Sequence, residues 1–129
     1  MTETKFKMDS WDEEVYFKAD DNSKISKATV TKSYSGEIDG KGVLNYLMSY
    51  YADGSAYFVG IERVEGEVSG KTGTFIFSHE GTFKDGIATS EFQIVKGSAT
   101  GNLIGLTGKG HFSSGHAMTV PIKFSHKFE

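Results

Sequence analysis

The sequence predicts an all-β fold, a single antiparallel β-barrel of about eight strands, on three observations. Glycine is abundant at 16 residues while proline occurs once. Aromatic residues make up 13% of the chain. Apolar positions recur with period two, and glycine interrupts them before a helix of several turns could form. Collagen-like and disordered chains share the glycine but lack the aromatic and β-branched content.

Residues 5–19 carry Phe6, Met8, Trp11, Val15 and Phe17 and read as one or two strands broken near Asp12. Asp20-Asp21-Asn22-Ser23 is a turn, because these side chains bond their own backbone and tolerate left-handed geometry. Residues 25–38 read as a long strand, closed by a hairpin signal at Asp39-Gly40. Residues 43–51 follow, ended by Ala52-Asp53-Gly54. Part of this stretch, residues 45–51, is the best helical candidate, but it is tyrosine-rich and follows Gly40 and Gly42, so it reads as strand. Residues 57–64 are the next strand, then a stretch spaced by Gly66, Gly70 and Gly73, then a strand over 74–79. Lys84-Asp85-Gly86 is a turn, residues 87–95 alternate well, residues 97–110 mix loop and short strand, and residues 117–128 close the barrel. No composition break divides the 129 residues, so one domain is expected over 1–129. A short echo links Gly36–Gly40, Gly66–Gly70 and Gly101–Gly105, each with a branched apolar residue midway between its glycines.

Bulk properties exclude several classes. The net charge of −3 gives no basic stripe for a nucleic acid. The absence of cysteine removes disulfides, thiol nucleophiles and thiolate metal sites. No apolar run approaches the roughly 20 residues of a membrane helix, and the first residues have no apolar core of a secretory signal, so a cytoplasmic protein is expected.

Strand faces carry the first functional expectation. In residues 117–128, Met118, Val120, Ile122, Phe124 and Phe128 share one parity, and Thr119, Lys123, Ser125 and Lys127 the other. The middle strands are apolar on both sides. Leu44, Tyr46, Met48 and Tyr50 oppose Val43, Leu47 and Tyr51, and Tyr57, Val59 and Ile61 oppose Phe58 and Val64. A strand apolar on both faces must bury both. One face meets the lumen, so a homo-oligomer covering residues 43–64 is expected.

Candidate site residues come from polar groups among apolar ones. Glu62 and Arg63 sit mid-strand between apolar neighbours, so one of them enters the lumen. A charge there must be paired or shift its pKa, which makes Glu62 an acid/base candidate and Arg63 an anion anchor. His79 shares parity with Phe75 and Phe77, so the two phenylalanines are candidates for the lumen wall and His79, at its mouth, is the other acid/base candidate beside Glu62. Glu37, Gln93 and Tyr46 are further ligand contacts, with Tyr34 and Tyr57 as other hydroxyl donors; core or interface aromatics explain these tyrosines equally well. Each of these residues also has a plain structural reading, an ion pair or a strand cap.

Other motifs fail. Gly70-Lys71-Thr72 lacks the glycine spacing and the following helix of a phosphate loop. His111 and His116 have neither helical nor strand ligand spacing, and no metal or other cofactor is expected. Glu13-Glu14 and Asp20-Asp21 read as solvated charge. There is no Gly-x-Ser-x-Gly elbow.

A set of signatures resembles an uncharacterised bacterial domain-of-unknown-function family. These are Tyr34-Ser35-Gly36-Glu37-Ile38-Asp39-Gly40-Lys41-Gly42, the stretch Asp53-Gly54-Ser55-Ala56-Tyr57-Phe58-Val59-Gly60-Ile61-Glu62-Arg63-Val64, and Gly70-Lys71-Thr72-Gly73-Thr74-Phe75 with His79-Glu80-Gly81. The glycine-rich residues 97–110 and Trp11-Asp12 fit too, although the family more often has glycine at the position of Ala99. The resemblance implies an allene oxide cyclase-like barrel, whose fold relatives hold hydrophobic small molecules in the lumen, often as oligomers. It transfers no catalytic residue. The expectation is therefore a barrel binding a small hydrophobic molecule. The alternatives are a cofactor-free isomerase or cyclase acting in the lumen, and a structural module whose lumen is filled by its own side chains.

Overall fold

Among the described residues, nine antiparallel strands form one sheet that rolls into a nearly closed barrel. The structure, a computed structural model, describes residues 3–115 and 119–129. The strands are β1 (Lys5–Lys18), β2 (Lys24–Ser35), β3 (Ile38–Tyr50), β4 (Ala56–Val68), β5 (Lys71–Lys84), β6 (Ile87–Ile94), β7 (Leu106–Ser114), β8 (Thr119–Pro121) and β9 (Lys123–Phe128). The expected eight become nine because the closing segment breaks at Ile122. There the chain changes partners: β9 pairs with β7, and β8 pairs with β1. The Ile122 N–H donates instead to the Thr4 carbonyl at 2.9 Å.

Consecutive strands pair with neighbours, so local turns set the register. Ser69-Gly70 and Asp85-Gly86 each place two successive residues at positive φ, the geometry of tight hairpins that match strand twist. The turn expected at Asp39-Gly40 lies instead at Gly36-Glu37, with Gly36 at φ +108°. Gly40 belongs to β3, where a side chain would strike the Glu65 carbonyl of β4. That glycine permits close strand approach rather than a turn.

Burial alternates along β2, β3 and β4, as period-two patterning requires. The interior divides in two. At the closed end, Phe75, Phe77, Ile38 and Val68 are fully buried beneath a short 3-10 turn, Gly101–Leu103, whose Leu103 plugs the barrel. Burying each such large side chain contributes roughly 1.5–3 kcal/mol. At the open end a smaller cluster holds Tyr46, Met48, Phe58, Leu44, Val30 and Ala28.

β1 differs from the other long strands. It pairs with β2 along its length but with β8 only through Lys5, Phe6 and Lys7. Beyond Lys7 its other edge is unpaired among the described residues, and Phe6 is its one fully buried side chain. The barrel is thus sealed at one end and parted at the other. Of the closing segment's expected dry face, Val120 and Ile122 are buried and Phe124 and Phe128 are half-buried, while Met118 lies outside the described residues.

Candidate functional site

The barrel interior carries a charged cluster at mid-height. Parity on β4 sends Glu62 inward and Arg63 outward. Glu62 aligns with Leu44 of β3 and Phe77 of β5, and His79 lies one row nearer the open end. On β2, Val30, Lys32 and Tyr34 share the inward parity. The Glu62 carboxylate collects all of them. Its Oε1 accepts from His79 Nε2 at 2.6 Å, and its Oε2 accepts from the Tyr34 hydroxyl at 2.6 Å. Lys32 Nζ lies 3.5 Å from Oε1, close enough to pair but not hydrogen-bonded to it. Space for the carboxylate comes from Gly42, since any side chain there would overlap Glu62 Oε2.

Burial and charge set the protonation states. Burial pushes the Glu62 carboxyl up, but the Lys32 ammonium, His79 and the Tyr34 hydroxyl outweigh it and hold the group below the ordinary carboxylate value. Burial lowers His79 more than its bond to Glu62 raises it, so the imidazole is neutral at pH 7. A carboxylate only accepts, so Nε2 carries the His79 proton. Nδ1 then presents a lone pair, buried and without a partner among the described residues. Burial also lowers Lys32, against the pull of Glu62. Its Nζ sits 4.1 Å from the Phe6 ring centroid and 5.7 Å from that of Phe112. Tyr34 is raised well above its ordinary value by burial and by Glu62, so it stays a hydrogen-bond donor.

Toward the open end, above this cluster, lies a cavity of about 590 Å³. Its walls include Met48, Phe58 and Trp11, and its mouth opens between β1 (Met8, Ser10) and the β6–β7 side (Ala88, Ser114). Phe6, Phe112 and Tyr46 also line it. These three join cavity to cluster: the first two rings hold Lys32, and Tyr46 packs edge-on to His79 at 6.0 Å. At the rim, Glu13 accepts from Ser26 at 2.6 Å, Tyr50 at 2.7 Å and Trp11 at 3.1 Å. Burial raises the Glu13 carboxyl, but these donors and Lys24 hold it below its ordinary value.

The sequence candidates divide accordingly. Glu62, His79 and Tyr46 meet in the interior, and Tyr46 reaches the cavity. Phe75 and Phe77 face inward but fill the closed end, so they support the cluster from below rather than line the cavity. Arg63 points outward, pairing with Glu65 at 3.6 Å. Gln93 is likewise on the outer surface, because its inward neighbours on β6 are Phe92 and Ile94. Glu37 sits in the β2–β3 turn, 3.7 Å from His126. These three are not lumen groups. Tyr57 is also outside, donating to Glu80 at 2.5 Å. Lys32 was missed from the sequence, although it shares parity with Val30 and Tyr34. Glu13, read as solvated, is a half-buried rim group. Among the described residues no cluster of three His, Asp or Glu side chains is arranged to hold a metal. No helix of the described residues is long and apolar enough to cross a membrane.

Fold and site define a small antiparallel barrel with an apolar chamber at one end and a buried charged cluster at its base. Over residues 2–126 the chain matches the family described as a protein of unknown function, DUF3224, and it belongs to that family. It is similar to the crystal structure of a DUF3224 protein with unknown function from Shewanella oneidensis MR-1. The two share 25% identity and a TM-score of 0.77, over 100% of this chain and 98% of that one. Among curated proteins, none matches.

Proposed function

We propose that this protein binds one small hydrophobic molecule in the chamber at the open end of the barrel, acting in the cytoplasm. The observation that carries the reading is the chamber itself: about 590 Å³, lined mainly by aromatic and methionine side chains, with a few polar side chains such as Asp9, Ser10 and Ser114. That is within the volume range of small-molecule sites, which pair apolar walls with a few placed polar groups. The ligand is an apolar body that packs against Met48, Phe58 and Trp11. The closed half of the barrel is filled by its own side chains, whereas this half is not.

A second reading, cofactor-free isomerisation or cyclisation, is favoured by one feature. Glu62 orients a neutral His79 whose Nδ1 lone pair is unspent, and Tyr34 is a donor on the same carboxylate. Such a pair can take a proton from a carbon acid and return it elsewhere on the molecule, if Tyr46 or Phe6 gives way to admit the substrate.

The test uses Trp11, the single tryptophan, which lines the chamber. Titration with an apolar fluorescent probe such as anilinonaphthalene sulfonate is expected to change Trp11 emission and to raise the melting temperature. Ala88→Phe fills the mouth without removing a packed group and is expected to weaken probe binding at least tenfold, or about 1.4 kcal/mol. Unchanged binding by a folded A88F protein rejects the chamber as the site. Turnover, if found, is expected to vanish in H79Q while binding persists.

A further inference from the structure

We propose that the outer face of β3 and β4 is the interface of a two-fold homodimer, in which Lys27 of each copy pairs with Glu80 of the other. The proposal does not rest on the chamber.

The first observation is apolar. Val43 and Leu47 on β3 are 50% and 49% exposed, and Val59 and Ile61 on β4 are 37% and 55% exposed. Leu47 and Val59 are register partners, and Ile61 lies beside Asn45, so these side chains are contiguous on the outside of the barrel. Their strands already bury their other face in the lumen. Soluble chains rarely leave such a patch on a rigid sheet uncovered.

The second observation is the charge order around that patch. One row of outward residues runs Lys27, Leu47, Val59, Glu80 across β2, β3, β4 and β5. It reads positive, apolar, apolar, negative. A two-fold axis lying in the interface, parallel to the strands and between β3 and β4, keeps each row on itself and exchanges its ends. Leu47 then meets Val59 of the second copy, and Lys27 meets Glu80 of the second copy. An axis perpendicular to the strands sets Lys27 against Lys27 and Glu80 against Glu80, which charge repulsion disfavours. The row thus selects one isologous arrangement.

The local groups agree. Glu80 is oriented by the Tyr57 hydroxyl on its Oε2, which leaves Oε1 free to accept. Lys27 makes no ion pair among the described residues, although Glu14 is its register neighbour on β1. The face also has shape. From β3 toward β7 the outer surface sinks into a depression of about 1120 Å³, bordered by Leu47, Val59, Ile61, Glu80 and Gln93. The two-fold lays the β2–β3 side of one copy over that hollow in the other. Arg63 meets Val43 of the second copy, where its aliphatic stem can cover the valine.

Sedimentation velocity on the full chain tests the proposal. The wild type is expected to be a dimer, Leu47→Asp a folded monomer. Lys27→Glu and Glu80→Lys are each expected to weaken association by about tenfold or more, and the double reversal to restore it to within about threefold of wild type. Rescue cannot arise inside one chain, because β2 and β5 are three strand spacings apart, roughly 14 Å. A wild type that stays monomeric at roughly 100 μM, an L47D protein that still dimerises, or a double reversal no tighter than the singles overturns the proposal. Far-UV circular dichroism establishes that each variant is folded.

Discussion

Replacing Glu62 by glutamine is the sharpest test of the interior cluster. The side chain keeps its shape, so Gly42 still accommodates it and Tyr34 still has an oxygen to bond. What goes is the only carboxylate that pairs with Lys32 among the described residues, leaving an ammonium 1% exposed and packed on Phe6. Breaking a buried pair by removing one partner costs about 3–5 kcal/mol. Lys32 can escape that penalty by losing its proton. From its ordinary pKa of 10.5, this costs about 5 kcal/mol at pH 7. Both routes give the same scale, so E62Q is expected to lose about 3–5 kcal/mol. At roughly 4 °C per kcal/mol for a chain of this size, the melting temperature falls by about 12–20 °C. The sign with pH follows. In the variant, the folded lysine is neutral while the unfolded one binds a proton, so the deficit shrinks as pH rises, by up to about 1.4 kcal/mol per pH unit. Adding Lys32→Met removes the orphaned amine and is expected to recover most of the loss, since a whole buried pair is often dispensable. Urea unfolding at pH 7 and pH 9 measures all of this. A deficit below about 1 kcal/mol at pH 7, or one that neither pH nor K32M relieves, refutes a lysine held charged by Glu62.

Other outcomes follow from the same geometry. Gly42→Ala inserts a methyl group against the Glu62 carboxylate and the Tyr34 ring, and calorimetry is expected to show a loss of about 1–3 kcal/mol. His79 has its folded pKa below its ordinary 6.5, so its contribution is present above pH 6.5 and is lost as pH falls through the folded value. NMR titration is expected to find this imidazole neutral at pH 6.5, and His79→Gln to flatten the loss of stability as pH falls below 6.5. An imidazolium at pH 6.5 contradicts the assignment. Glu62 contributes in a separate window below its ordinary 4.5, where stability is lost as its depressed carboxyl is protonated.

How much of this was legible differs by feature. Period-two alternation and glycine placement specified the barrel, because both act through neighbours on one chain. Lys84-Asp85-Gly86 read as a hairpin turn since left-handed backbone is a local demand that aspartate and glycine meet. Asp39-Gly40 carries the same local signal yet sits within β3, because the competing demand, contact with the Glu65 carbonyl, comes from another strand. Parity showed that Glu62 and Arg63 point opposite ways, but not which one points in. Lys32 went unseen among Thr31 and Ser33, since a lysine is read as solvated until its counter-charge is known.

By itself, then, the sequence determined an antiparallel barrel, a row of inward and a row of outward residues on each strand, and middle strands apolar on both sides. Tertiary closure decided the rest. It chose the inward face, brought β2, β4 and β5 together so that Lys32, Tyr34, His79 and Glu62 meet, and parted β1 from the β6–β7 side so that half the lumen stays open. The physical reason is range: strand period and turn geometry are properties of adjacent residues, whereas a buried charge, a chamber and a self-matching surface exist only once residues far apart in the chain share a neighbourhood.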